Sequence, residues 1–184
     1  MQDKFVADLQ EIRRRAREHM EKGAVTAGYK GDKEEIIKLL NDALATELVC
    51  VLRYKRHYFM AQGISAEPIA QEFMEHANEE MQHADMIANR IVQLGGSPNF
   101  NPQDLPSRSA SEYVEGTDLK DMIKEDLVAE RVAIDTYKEM INYVGTNDPT
   151  TCRMLEEILA VEEEHADDLA RLIAQMDGGL KNIA

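Results

Sequence analysis

Apolar residues recur at steps of three and four along four long stretches of the chain, and acids interrupt each stripe on its apolar side. The first stripe runs Leu40, Leu44, Glu47, Val51, Tyr54, Tyr58, and the second Ile69, Phe73, His76, Glu80, His83, Ile87, Ile91, Leu94. The third is Leu119, Ile123, Leu127, Glu130, Ile134, Tyr137, Ile141, Val144, and the fourth Leu155, Ile158, Glu162, His165, Leu169, Leu172, Met176. That period is helical. Punctuation sets the ends. Asp32 followed by Glu35 is a capping-box arrangement, and Pro68 falls in a first helical turn. Asp148-Pro149 is an N-cap with proline after it. Four helices are predicted: A over 33–62, B over 66–95, C over 118–144 and D over 149–176, with turns at Gly63–Ser65 and Gly145–Asn147.

Two stretches lie outside this pattern. Residues 3–22 carry a weaker stripe (Phe5, Leu9, Ile12, Ala16, Met20) around the basic run Arg13-Arg14-Arg15-Ala16-Arg17, and 23–31 is glycine-rich. We read 1–31 as a helical extension plus linker, 32–177 as the bundle and 178–184 as a short tail. Residues 95–117 are rich in Pro, Gly, Ser and Asn. A loop of that length inside a compact domain needs a reason. At roughly 3.3 Å per extended residue it can span a whole bundle, so that helix C starts at the opposite end. The fold class expected is all-α: a ferritin-like four-helix bundle with a long B–C crossover and an N-terminal helical extension.

Composition agrees. Aromatics make up 5%, Trp is absent, and charged residues make up 30%. The net charge is −14, but residues 1–30 hold seven basic and five acidic residues, so the remainder carries −16. A body that acidic does not meet nucleic acid phosphates; it attracts cations. No apolar run is long enough to span a membrane, and no signal-like segment opens the chain, so the expected compartment is the cytoplasm. Cys50 and Cys152 form no C-x-x-C.

The acids on the stripes are spaced alike. Glu80-Met81-Gln82-His83 and Glu162-Glu163-Glu164-His165 are two copies of Glu-x-x-His; Glu47 precedes the first by 33 residues and Glu130 the second by 32. In an antiparallel hairpin, residues equidistant from the turn are level. The midpoints fall at Gly63–Ile64 and Thr146, so each lone glutamate faces its Glu-x-x-His roughly 24 Å from the turn. Four carboxylates and two imidazoles on buried faces need a compensating partner. No Lys or Arg lies on the four stripes to serve as one. Two divalent cations would balance four carboxylates, and oxygen-rich ligation with one imidazole per ion suits iron or manganese.

These segments resemble the ferritin superfamily, and bacterioferritin above all, over about residues 33–177. The resemblance is carried by Glu47-Leu48-Val49 with Tyr54, by Glu80-Met81-Gln82-His83-Ala84-Asp85, by Glu125-Asp126-Leu127-Val128-Ala129-Glu130 and by Glu162-Glu163-Glu164-His165. It implies a ferroxidase centre of two irons per subunit, with Glu80 and Glu162 bridging, Glu47 and His83 completing one ion, and Glu130 and His165 the other. Tyr54 would support a ligand. Fe(II) would be oxidised by O2 or H2O2 and the Fe(III) stored as mineral in a hollow homo-oligomeric cage. Bacterioferritins end in a fifth helix for which the residues after 176 are too few; an N-terminal extension resembles the Dps-like ferritins. A dodecamer is therefore expected ahead of a 24-mer. Met81 stands where bacterioferritins carry a haem ligand, which makes haem b between two subunits a candidate cofactor; the plainer reading is an adaptable interface methionine.

Other residues have two readings. Cys50 and Cys152 lie on opposite sides of the metal level, roughly 20 Å apart along the axis, too far for a disulfide; free thiols are expected. His76 and Glu79 adjoin the ligands and suggest an iron transit site, against the plainer reading of a satisfied histidine. His19 and His57 show no role. The rival functions are a rubrerythrin-like peroxide-reducing di-iron enzyme and a Dps-type DNA-protecting protein using the Arg13–Arg17 arm.

Overall fold

The structure is a computed structural model and describes residues 7–63 and 66–179. Its elements are α1 (Leu9–Arg15), α2 (Lys33–Met60), α3 (Ala66–Gln93), α4 (Leu105–Arg108), α5 (Leu119–Val144) and α6 (Pro149–Gly179), with single 3-10 turns at Met20–Lys22 and Gly145–Asn147. Among the described residues every regular element is helical.

Aspartate caps start α2, α5 and α6. Asp32 accepts the Glu35 amide at 3.2 Å, Asp118 the Asp121 amide at 3.0 Å, and Asp148 the Thr151 amide at 3.0 Å. Gly145, at φ +48, ends α5 in a backbone conformation that a side chain resists. Helix D was expected to stop at Met176; α6 continues through Gly178 and Gly179. Glycine disfavours helix interiors by about 1 kcal/mol but does not forbid them. Ile64 and Ser65, part of the expected A–B turn, lie outside the described residues, as do Phe5 and residues 180–184.

Helices α2 and α3 form one antiparallel hairpin, and α5 and α6 the other. The hairpins meet antiparallel. Along α2 and α5 the contacts run in opposite senses, Glu47 to Tyr137 and Tyr54 to Glu130; along α3 and α6 they run His76 to His165 and Arg90 to Thr151. This arrangement needs a crossover, and the loop supplies it by tracking α2. Asn99 donates its amide to Asn41 at 2.7 Å, Ala110 to Thr46 at 2.9 Å, and the Glu112 carbonyl accepts from Arg53 at 2.8 Å. The loop therefore climbs a little over three turns of α2, about 18 Å. It carries one short helix that the sequence reading did not anticipate, α4, whose Leu105 is buried against Ala45 and Val49. Gly116, at φ +68, turns the loop into α5, where a Cβ would stand 3.0 Å from the Met122 amide nitrogen.

The helix expected over 3–22 is shorter. It ends at Arg15, and His19 takes a left-handed conformation at φ 51. No residue of α1 is buried; Leu9, Ile12 and Met20 are all exposed, so the stripe has no surface to dock on and nothing prolongs the helix. The linker does dock. Val25 and Tyr29 pack on the bundle end, and the Tyr29 hydroxyl donates to Asp148 at 2.8 Å.

The core is split in two. One apolar half gathers Leu40, Leu44, Ile87, Ile91, Val144, Leu155 and Ile158; the other gathers Ile69, Phe73, Ala77, Ile123 and Leu169. The buried acids lie between them, where the rigid halves hold them at one level.

Candidate metal centre

Six side chains converge at that level: Glu47 from α2, Glu80 and His83 from α3, Glu130 from α5, Glu162 and His165 from α6. None is more than 4% exposed. They fall into two groups of four whose ligand atoms lie within 4.8 Å of one another: Glu47, Glu80, His83, Glu162 and Glu80, Glu130, Glu162, His165. Glu80 and Glu162 belong to both groups.

The donor atoms are short of partners. Glu47 Oε2, Glu80 Oε1, Glu130 Oε2, both Glu162 oxygens and His165 Nδ1 are buried without a hydrogen bond. Such orphans are costly in an apolar interior. Here they face one another across a shared centre, and the donor set of oxygen and imidazole nitrogen fits a pair of divalent first-row cations. His83 Nδ1 lies 3.0 Å from Glu162, 3.3 Å from Glu47 and 3.3 Å from Glu80. Burial lowers its pKa, but the hydrogen bonds and charges of Glu47 and Glu80 outweigh that and lift it to about 10. The imidazolium thus occupies the place of a cation in the metal-free cluster. Burial and then mutual repulsion among the acids push Glu80 and Glu162 well above the usual carboxyl range. Burial pushes Glu47 up as well, but hydrogen bonds with Glu80 and His83 hold it below its ordinary value.

Neighbours orient the donors. The Tyr54 hydroxyl donates to Glu130 and the Tyr137 hydroxyl to Glu47, so each hairpin supplies a phenol to the other's lone glutamate. Burial raises both phenols well above their normal pKa, which keeps them protonated. Tyr54 stood out in the sequence; Tyr137 did not, although it follows Glu130 by the same seven residues that separate Tyr54 from Glu47. His165 Nε2 lies 2.7 Å from a Glu79 oxygen, which holds the ring with Nδ1 toward Glu80, Glu130 and Glu162 at 3.8, 3.9 and 4.0 Å. Glu79 therefore partners His165. His76 stacks on His165 with ring centroids 4.0 Å apart, and its Nδ1 lies 3.2 Å from the Tyr54 hydroxyl. Burial, then the His165 charge, lowers its pKa to about 3.

Buried cations are present after all, off the stripes. Arg53 Nε meets Asp126 at 2.9 Å, with His57 Nδ1 on the other Asp126 oxygen at 2.8 Å. Arg90 meets Asp148 at 2.8 Å. Neither arginine neutralises the six-residue cluster, because each is committed to its own aspartate. His57, for which the sequence showed no role, is fully buried and braces Asp126, one turn before Glu130. Met81 is 38% exposed on the outer side of α3, where a neighbouring molecule can reach it. Both cysteines are free thiols, Cys50 buried and Cys152 half-buried. A cavity of about 250 Å3 lined by Glu79, Gln82, His83, Met86, Glu157, Ile158 and Val161 opens between α3 and α6 onto His83.

Fold and site together define an antiparallel four-helix bundle around a buried carboxylate–histidine cluster. The family model described as ferritin-like domain matches residues 37–178. The chain belongs to the ferritin-like family. It is 32% identical over 149 residues to the bacterioferritin of Mycobacterium avium, covering 80% of this chain and 89% of that one. With the bacterioferritin of Brucella melitensis it shares 33% identity over 141 residues, 76% of this chain and 83% of that one. Its fold matches the bacterioferritin-related protein of Bacteroides fragilis, described as a dodecameric thioferritin, with a TM-score of 0.80 at 32% identity, over 83% of this chain and 92% of that one. The Dps of Thermosynechococcus elongatus, 21% identical with a TM-score of 0.74 over 77% of this chain and 91% of that one, shares the fold. No helix among the described residues is long and apolar enough to cross a membrane.

Proposed function

We propose that the chain is a ferroxidase subunit of an iron-storing cage, and that the six clustered residues bind two Fe(II) ions as substrate. The observation that carries this is the sharing of Glu80 and Glu162 between two four-donor groups, with the unsatisfied oxygens turned inward. Glu47 and His83 serve one ion, Glu130 and His165 the other, and the shared glutamates serve both. Four carboxylates and two divalent ions are neutral together, which relieves the mutual repulsion that, after burial, raises the Glu80 and Glu162 carboxyls. Each Fe(II) gives up one electron, so a pair reduces O2 to H2O2, or H2O2 to two waters, with uptake of two protons. The protein's part is to hold both ions in a dry pocket with Tyr54 and Tyr137 fixing the outer glutamates. Fe(III) then collects as mineral inside a homo-oligomer. The likeness to the dodecameric protein of Bacteroides fragilis supports a dodecamer.

Met81, exposed one residue after Glu80, supports haem b held between two copies as an added cofactor; a Soret band lost in Met81→Leu is the corresponding observation. The basic arm is weaker as a DNA contact, because Arg14 is tied by Glu11 of its own helix and by Glu18 just beyond it. Aerobic Fe(II) loading followed by native mass and iron count tests the storage reading. A soluble dodecamer retaining far more than two irons per chain is expected. Peroxide turnover with a reductant and no retained iron would instead indicate a rubrerythrin-like enzyme.

A further inference from the structure

Beside the Glu130–His165 half of the centre lies a second polar cluster that the six residues do not use: Glu72 and His76 of α3 and Asp168 of α6, whose ligand atoms lie within 4.8 Å of one another. His76 is 2% exposed. Its two nitrogens have different neighbours. The Tyr54 hydroxyl donates its proton to Glu130, so its oxygen accepts from His76 Nδ1–H at 3.2 Å. That leaves the lone pair on Nε2. Nε2 makes no hydrogen bond, and the nearest carboxylate oxygen, Glu72 Oε1, stands 3.7 Å away. A lone pair turned toward two carboxylates is repulsive unless something positive lies between them. Two donors 3.7 Å apart can each stand about 2.1 Å from one ion. Glu72 and Asp168 side chains keep 32% and 20% exposure, so the cluster opens to solvent and water can fill the remaining coordination positions. Asp168 is also paired with Arg171, whose side chain is 64% exposed and free to swing away.

The near-twofold relation between the hairpins shows that the fold does not require these polar residues. Counting from the two Glu-x-x-His motifs, Glu72, His76 and Asp168 correspond to Met154, Ile158 and Met86. All three of those are apolar: Ile158 lies in the core, and the half-buried Met86 and Met154 pack against it. These three places are thus apolar beside the Glu47–His83 metal position, whereas an imidazole and two carboxylates fill them beside the other.

We infer that Glu72, His76 and Asp168 form a third divalent-cation site, a one-sided staging position beside the Glu130–His165 half of the dimetal centre. One imidazole and two carboxylates suit Fe(II), Mn(II) or Zn(II). The inference rests on the ferroxidase reading only for the assignment of Fe(II) as the natural occupant. The stacked His76 and His165 rings separate the third ion from the centre by one side-chain layer.

The test uses Co(II) alone, as a slowly oxidised stand-in for Fe(II), on the intact assembled protein. Anomalous difference maps from Co(II)-soaked crystals and equilibrium dialysis are read together. The wild type is expected to show three peaks per chain, one of them among Glu72, His76 and Asp168, and to bind three ions. The double variant Glu72→Gln/Asp168→Asn, which leaves the His76–His165 stack in place, is expected to lose that peak and bind two. A wild type with no density among these three side chains overturns the inference. So does third density that survives in the double variant, or that lies on the Glu130 side of His76. Should the double variant fail to assemble, Asp168→Asn alone and the wild-type map still decide. The two readings fail separately: missing density at the six-residue centre counts against the ferroxidase reading, whatever is found at the third position.

Discussion

Asp126→Ala strikes the side chain that locks the two hairpins one turn from Glu130. Arg53 is 1% exposed and Asp126 0%, and the pair is joined at 2.9 Å with His57 on the second carboxylate oxygen. Removing the carboxylate leaves a buried guanidinium held by the Glu112 carbonyl at 2.8 Å and, weakly, by the Cys50 sulfur at 3.9 Å. Breaking a buried pair from one side costs about 3–5 kcal/mol, far more than the pair is worth against an apolar replacement. For a chain of this size each kcal/mol moves Tm by roughly 2–4 °C, so a fall of about 6–20 °C is expected. The assay is thermal unfolding of metal-free protein at one fixed subunit concentration, since assembly adds its own stability. The double variant Arg53→Met/Asp126→Leu removes both charges and is expected to lose less than Asp126→Ala alone. A single-variant loss below about 1 kcal/mol, within the range of exposed ion pairs, would refute the reasoning. So would a double variant as unstable as the sum of its singles.

Metal-free protein is expected to lose stability as pH rises from about 6.5 to about 10. His83 has its folded pKa raised to about 10, so its contribution is full below the unfolded value near 6.5 and is lost on the way up. Glu80 and Glu162, also raised, act in the same direction. A Tm that climbs over that interval would contradict this. Tyr54→Phe and Tyr137→Phe each strip one glutamate of a buried donor, at about 1.5–3 kcal/mol for a bond to a charged group. Both are expected to slow Fe(II) oxidation in stopped-flow traces, and an unchanged rate in either would show that its hydroxyl does not position the glutamate it meets. Thiol titration in denaturant is expected to find two thiols per chain, before and after reduction; a rise on reduction would reveal a disulfide.

The stripes made the bundle legible because each helix repeats one face over many turns. The two Glu-x-x-His motifs and their lone glutamates located the cluster because level positions in a hairpin follow from its turn. What stayed hidden has physical reasons. Arg53, His57 and Asp126 lie off the named stripes, because a helix packed against neighbours and under a crossover loop buries a wider arc than one stripe covers. Glu79 looked like a transit ligand because sequence does not show which ring nitrogen it meets. Tyr137 was visible as an apolar position, and its equivalence to Tyr54 emerges only when the two hairpins are superposed. The extension was read as helical to residue 22 from periodicity alone; without a partner surface, the pattern holds a helix only to Arg15.

The most direct test of the central claim is stopped-flow Fe(II) oxidation by wild type and Glu130→Ala, with iron retained per particle counted afterwards. If the six residues form the ferroxidase centre, the wild type oxidises iron in a fast phase that saturates at two Fe(II) per chain. Glu130→Ala then loses that phase and its retained iron drops. Unchanged rates and retention in Glu130→Ala would contradict it.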